Sequence, residues 1–220
     1  MKKLLTILVS AIFFTVSANA DIRLGISGAY TMFSSEGTET IKSAQTKTSK
    51  THEDEVIVPS LFFEIASDDG FGIGVDFIPS AAELGSGTNS RTDTDTDDAS
   101  DTAGKNKISA ELTGHTTIYA TVPLGDGGFY LKPGFARATI ETKETLATGS
   151  KYGDEDVFGL LLGVGMNRDL DNGLFARFEA TYTNYEDKTF TGTADADGVR
   201  NVIDAEVDAL ALRVSVGKSF

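Results

Sequence analysis

The sequence predicts an all-β fold: a single antiparallel, eight-stranded, up-and-down transmembrane β-barrel. Three observations predict it. Apolar residues recur with a period of two through eight separate segments, while helical periodicity is nearly absent. The connections between those segments alternate between long and short. The face opposite the apolar one is Gly, Ser, Thr and Ala with isolated charges, a composition suited to a crowded interior.

Two parts of the chain differ in kind. Residues 1–20 open with Lys2 and Lys3, continue in an apolar run from Leu4 to Val16, and end in Ala18-Asn19-Ala20. That is the pattern of a secretory signal peptide cleaved after Ala20. The run falls short of the roughly 20 apolar residues of a spanning helix. Residues 21–220 are expected to form one barrel domain.

The first segment, 22–32, sets Ile22, Leu24, Ile26, Tyr30 and Met32 against Arg23, Gly25, Ser27, Ala29 and Thr31. The second, about 55–66, sets Ile57, Leu61, Phe63 and Ile65 against Ser60, Phe62, Glu64 and Ala66. The third, about 71–81, sets Phe71, Ile73, Val75 and Phe77 against Gly72, Gly74 and Asp76. The fourth, about 106–122, puts Ile108, Ala110, Leu112, Ile118, Ala120 and Val122 on the apolar face. Its other face carries Lys107, Ser109, Glu111, Thr113, His115, Thr117 and Tyr119.

The fifth, about 128–141, sets Phe129, Leu131 and Phe135 against Tyr130, Lys132, Gly134 and Ala136, with a bulge expected near Arg137. The sixth, about 157–168, sets Phe158, Leu160, Leu162, Val164 and Met166 against four small or polar residues and Leu161. The seventh, about 174–186, sets Leu174, Ala176, Phe178, Ala180 and Tyr182 against Phe175, Arg177, Glu179, Thr181 and Thr183. The eighth is the terminal ALALRVSVGKSF, with Leu210, Leu212, Val214 and Val216 opposite Ala211, Arg213, Ser215 and Gly217. Pro59 and Pro133 are expected near strand ends, where a lost ladder bond costs least.

The connections read long at about 34–54, 83–105, 142–156 and 187–204. They read short at SDDG (67–70), LGDGG (124–128) and DLDNG (169–173), the last an Asp/Asn/Gly hairpin turn. A meander held tight at one end and open at the other gives this alternation.

A half-buried soluble sheet also alternates. Its outer face, however, is normally rich in Lys, Glu and Asp, which this second face is not. If the apolar face meets lipid, the second face lines a narrow lumen. A closed barrel is one of only two ways to satisfy every backbone group inside a bilayer, and these segments have the roughly 9–11 residues a tilted spanning strand needs. Tyr30, Phe33 and Tyr182 at the long-loop end and Phe71, Phe129 and Phe220 at the tight-turn end approximate two interfacial girdles.

The inner face then carries Arg23, Lys107, Lys132, Arg177 and Arg213 against Glu64, Asp76, Glu111 and Glu179, with His115 among them. Near balance stands out in a chain of net charge −14, or −16 once Lys2 and Lys3 are removed (17 basic against 33 acidic). Paired charges are tolerable where an isolated one costs several kcal/mol. A salt-bridge network filling the lumen is therefore expected, in a barrel whose interior is just wide enough for side chains.

At these residues the chain resembles the family of small eight-stranded outer-membrane β-barrels of Gram-negative bacteria, the outer membrane protein A barrel and porin-like proteins. The resemblance covers the signal peptide and nearly all of 21–220. It implies both termini on the periplasmic side, location in the cell outer membrane, and contact with its lipid and lipopolysaccharide. It also implies that the last strand is read by the barrel-assembly machinery. Leu212, Val214, Val216 and Phe220 match that signal, and Lys218 departs from it.

Other chemistry is poorly supplied. There is no Cys, so neither disulfides nor thiolate metal sites. The acidity disfavours nucleic acid. His115 with Ser109 lacks a G-x-S-x-G turn, so no catalytic residue and no cofactor are expected. Asp93, Asp95, Asp97 and Asp98 resemble the start of a calcium loop, but Asp98 stands where Gly is required and Gly104 where a bidentate Glu is required. A solvated acidic loop is the favoured reading. The expected function is an envelope structural and surface-interaction protein acting through long extracellular loops that meet surface ligands. A small porin-like channel is the alternative.

Overall fold

The computed structural model describes residues 20–41, 46–91, 104–145, 151–193, 200 and 202–220. The signal segment up to Asn19 and the acidic run Asp93, Asp95, Asp97 and Asp98 lie outside the described residues.

Among the described residues ten strands build the wall. They are β1 (Asp21–Ile41), β2 (Thr46–Ala66), β3 (Gly72–Phe77), β4 (Ala82–Arg91), β5 (Gly104–Pro123), β6 (Phe129–Thr145), β7 (Glu155–Asp169), β8 (Leu174–Tyr185), β9 (Lys188–Thr191) and β10 (Val202–Ser219). They occupy eight positions, because β3 and β4 both pair with β5 and β8 and β9 both pair with β10. Every pairing is antiparallel, and β1 closes the ring on β10 from Arg23↔Ser219 to Thr40↔Val202. The Phe220 amide donates to the Ile22 carbonyl at 2.9 Å, and Ile22 returns the bond at 3.3 Å. The tight turns are as expected. In the last of them Asn172 (φ 63) and Gly173 (φ 74) take the left-handed conformation that Asn-Gly accepts at least cost. In the first, Ser67 and the Phe71 amide donate to the Asp69 carboxylate and hold its pKa below the ordinary value.

No helix among the described residues is long and apolar enough to cross a membrane; strands make the crossing. Outward-facing Ile22, Leu24, Ile26, Tyr30 and Met32 of β1 are exposed, as are Ile57 (76%), Leu61 and Phe63 of β2 and Leu210, Leu212, Val214 and Val216 of β10. A soluble protein rarely exposes a continuous apolar band of this extent. The band spans Ile22–Met32 on β1, the length of one tilted spanning strand.

The strands do not stop there. Segments expected as long loops are largely strand: β1 continues to Ile41 and β2 starts at Thr46. At ~3.3 Å per residue, residues 33–41 add about 30 Å of tilted strand beyond the apolar band. In that projecting part the faces exchange character. Outward positions are Ser34 and Glu36, and Glu206 and Asp204, while inward positions are Phe33, Leu84, Ala138, Ile140, Val157, Phe190 and Val207, packed as one apolar cluster with Tyr152 and Tyr185.

Four expectations need correction. Phe33 is 5% exposed and belongs to this inner cluster, not to a girdle, since it follows outward-facing Met32. Pro59 and Pro133 lie inside β2 and β6, paired with Gly28 and Leu162. Pro59 sits just beyond Leu61↔Phe77, where the β2–β3 ladder has ended. The bulge expected at Arg137 is on the facing strand: Thr113 pairs with Thr139 but Thr116 pairs with Arg137, so β5 holds one extra residue, and Gly114 (φ +60) takes the left-handed conformation there. Finally, one extra residue flips the side-chain phase. Leu112 and Ala110 turn inward, so Lys107 and Glu111 lie on the outer face.

Candidate functional site

The inner face of the turn-end half is packed by aromatic rings laid over glycines. Gly25 pairs with Phe62, Gly74 with Tyr119, Gly165 with Tyr130 and Gly217 with Phe175. At each glycine a Cβ would meet the ring across the ladder at 2.3–2.5 Å. The glycines are therefore what let the rings lie flat and reach the centre of the barrel.

Those rings frame three ion clusters. Glu64, on β2, is 0% exposed and takes two bonds from one guanidinium: Arg177 Nη1 to Oε2 at 2.8 Å and Nη2 to Oε1 at 2.5 Å. Arg23 Nη1 adds a third at 3.2 Å. The Arg177 guanidinium also stacks on Phe175 at 4.8 Å and Phe62 at 5.2 Å, contacts a planar delocalised cation makes well. Lys132 Nζ donates to Glu179 Oε1 at 2.7 Å and stands 4.1 Å over the Tyr119 ring, and Tyr130 donates to the same Glu179 oxygen at 2.8 Å. Arg213 Nη1 bonds Asp76 Oδ2 and, at 3.2 Å, Ser60 Oγ, which itself donates to Asp76 Oδ2 at 3.0 Å.

Glu64–Arg177, Asp76–Arg213 and Lys132–Glu179 join strands that are not neighbours in the ring and so cross the interior, whereas Arg23 and Glu64 are partners on the β1–β2 ladder. Side-chain exposure in the pairs is 0–9%, apart from 14% for Arg23. Of the ten residues expected in this network, seven meet in these clusters. Lys107 and Glu111 do not: Lys107 is exposed, and Glu111 pairs at the outer face with Lys143 Nζ at 2.5 Å. The Gly114 bulge is the cause. A Gly inside a strand pattern signals a bulge or a close backbone approach, so the cue stood in the sequence. His115 does face inward, at 8% exposed, with its ring edge-on to Tyr185 at 6.2 Å. Ser109 lies across the bulge from it and donates to the Lys143 carbonyl. The arrangement thus does not bring the Ser109 hydroxyl and the His115 imidazole together. No group of three or more metal-ligating side chains occurs among the described residues.

Above the clusters the interior is not filled. A partly enclosed chamber lies between Arg213 below and the apolar cluster above, lined by Thr31, Ala82, His115, Thr183, Ala209 and Ala211 among others. It offers about 40 Å³ to the centres of water molecules. It borders the link between β3 and β4, through Ile78 and Ser80. Its only trace in the sequence is small residues at alternate positions, which equally suit a filled interior.

No family model matches the chain, and no curated protein matches it. Solved structures do. The outer membrane protein OprG from Pseudomonas aeruginosa aligns with a TM-score of 0.60 at 15% identity, over 92% of this chain and 96% of its own. The outer membrane protease OmpT from Escherichia coli aligns at 0.51 and 8% identity, over 91% and 97%. Likeness at such identity establishes the fold: the chain is a small outer-membrane-type β-barrel. Its antiparallel ring and apolar outer band agree with that class.

Proposed function

We propose that the protein is a structural and surface-interaction component of the outer membrane whose lumen does not conduct. The carrying observation is the set of transverse ion pairs Glu64–Arg177, Lys132–Glu179 and Asp76–Arg213, buried at the depth of the lipid band. An open pore would need these pairs parted and hydrated, which the aromatic rings packed on glycine around them oppose.

The surface role rests on the projecting wall. Its outer face is uneven. Glu36, Glu53, Glu206 and Asp204 lie on β1, β2 and β10 with exposed Lys47 among them, whereas on β6 Arg137 and Lys143 are already paired with Asp156 and Glu111. The carboxylates of the first side suit a basic partner surface. The terminal Leu212, Val214, Val216 and Phe220, outward and exposed at the closing seam, suit an assembly signal at the periplasmic edge.

Purified monomer in planar bilayers is the test. The expected record is flat at physiological salt. Steady, single-sized openings that persist after dilution of detergent would replace this reading with that of a small channel.

A further inference from the structure

The chamber above the ion clusters has a composition unlike either half of the barrel. Its walls are small and apolar or hydroxyl-bearing, its roof is Phe33, Leu112 and Tyr185, and its floor carries Arg213 and His115. Two buried nitrogens on that floor have no hydrogen-bond partner: Arg213 Nε and His115 Nδ1. The nearest Glu179 oxygen lies 4.0 Å from Arg213 Nε, beyond hydrogen-bond reach. Buried polar groups are nearly always satisfied, so two orphans on one floor ask for an acceptor.

The four cations of the interior (Arg23, Lys132, Arg177, Arg213) exceed its three carboxylates (Glu64, Asp76, Glu179) by one, and the surplus lies around Glu64, which two guanidiniums share, while Arg213 faces Asp76 and Glu179. Asp76, whose Oδ1 is also without a partner, is not part of the chamber lining, whereas Arg213 and His115 are.

We infer that the chamber binds a short-chain monocarboxylic acid as its anion. The carboxylate accepts from Arg213 Nε and from His115 in its Nδ1–H tautomer. The hydrocarbon tail lies among Ala82, Leu112, Leu161 and Ala209. The space for water centres, about 40 Å³, exceeds the ~10–15 Å³ one water needs by about threefold. That fits a molecule of the size of propionate or butyrate. The site rests on the closed-lumen reading only in that the ion clusters form its floor.

The chain has two His, so the imidazole signals of His115 and His52 can be told apart by one substitution. The full barrel in nanodiscs is titrated with butyrate, n-butanol, formate and chloride while the imidazole ¹⁵N and ¹H resonances are followed. Butyrate is expected to shift the His115 signals saturably and leave those of exposed His52 unmoved. Binding should be at least about tenfold tighter than for butanol, a difference of about 1.4 kcal/mol. Ala211→Leu, which fills the chamber and spares the ions, should abolish the shift; Thr183→Leu serves if the first variant does not fold.

No shift of His115 at any butyrate concentration overturns the proposal. An equal response to butanol overturns it by making the site merely apolar. An equal response to formate or chloride overturns it as an adventitious ion only. A butyrate response that survives both filling variants places the ligand elsewhere. Conductance is read separately, so a channel that still binds butyrate refutes only the closed lumen.

Discussion

Glu64→Gln is the sharpest test of the interior, because volume is kept and only charge and one acceptor are lost. Glu64 accepts three N–H bonds from two guanidiniums and has no exposed side-chain surface. In the variant an amide N–H₂ must face a guanidinium donor whichever way the group is turned. Arg177, with 2% side-chain exposure, cannot reach water, whereas Arg23 at 14% can partly do so. Breaking a buried pair by removing one partner costs about 3–5 kcal/mol, and Arg177 should account for most of it. Urea unfolding of the barrel in phospholipid vesicles, followed by the gel mobility difference between folded and heated protein, gives the stability change. Glu64→Gln combined with Arg177→Met should recover most of the loss, since the stranded cation is gone. A loss below about 1 kcal/mol, the worth of an exposed pair, would mean that the lumen is wet, and the argument for a closed interior would fail.

The remaining predictions concern faces. Because the chain lacks Cys, single cysteines report orientation: Glu111→Cys is expected to react with a membrane-impermeant maleimide on the folded barrel, and Leu112→Cys only after heating. The reverse outcome would remove the Gly114 bulge and return Lys107 and Glu111 to the lumen. Leu212→Lys should destabilise the barrel in vesicles by about 2–4 kcal/mol if it faces mid-bilayer, while Asp208→Lys beyond the band should stay within about 1 kcal/mol. Equal costs at the two positions would displace the lipid band.

Much of the fold was legible because lipid enforces a period of two on every spanning segment. Arg213 shows why: between exposed Leu212 and Val214 it has only the interior to occupy, and there it meets Asp76. Arg23, Lys132 and Arg177 followed by the same alternation. Lys107 and Glu111 were misplaced because alternation was carried unbroken through Gly114, and a single inserted residue reverses every face beyond it. Partner choice was not legible. Glu64 and Arg177 are 113 residues apart, and their meeting depends on strand tilt and the height of each residue in the closed ring, which no local pattern encodes. The strands beyond the lipid were missed for a different reason. Segments such as 34–54, rich in Ser, Thr and Lys, lack an apolar outer face, and the outward apolar stripe was the signal being read.

That stripe does not end; it changes sides. Along β10 the outward positions run Val216, Val214, Leu212, Leu210 and then Asp208, Glu206, Asp204, while the inward positions run Ser215, Arg213 and then Ala211, Ala209, Val207. β6 repeats the exchange, from Phe135 outside and Lys132 inside to Arg137 outside and Ile140 inside. One ring of strands is therefore inside-out in the lipid and ordered like a soluble barrel beyond it, because the outer solvent changes while the strands continue. The two interiors obey opposite rules. One is held by paired charge and aromatic rings on glycine, the other by apolar packing. Where they meet neither rule is fully satisfied, and the meeting falls at Arg213, His115, Ala209 and Ala211. A chamber with orphaned donors on its floor and an apolar roof is the expected product of that junction, which is why the binding proposal belongs there and not in the sealed clusters below.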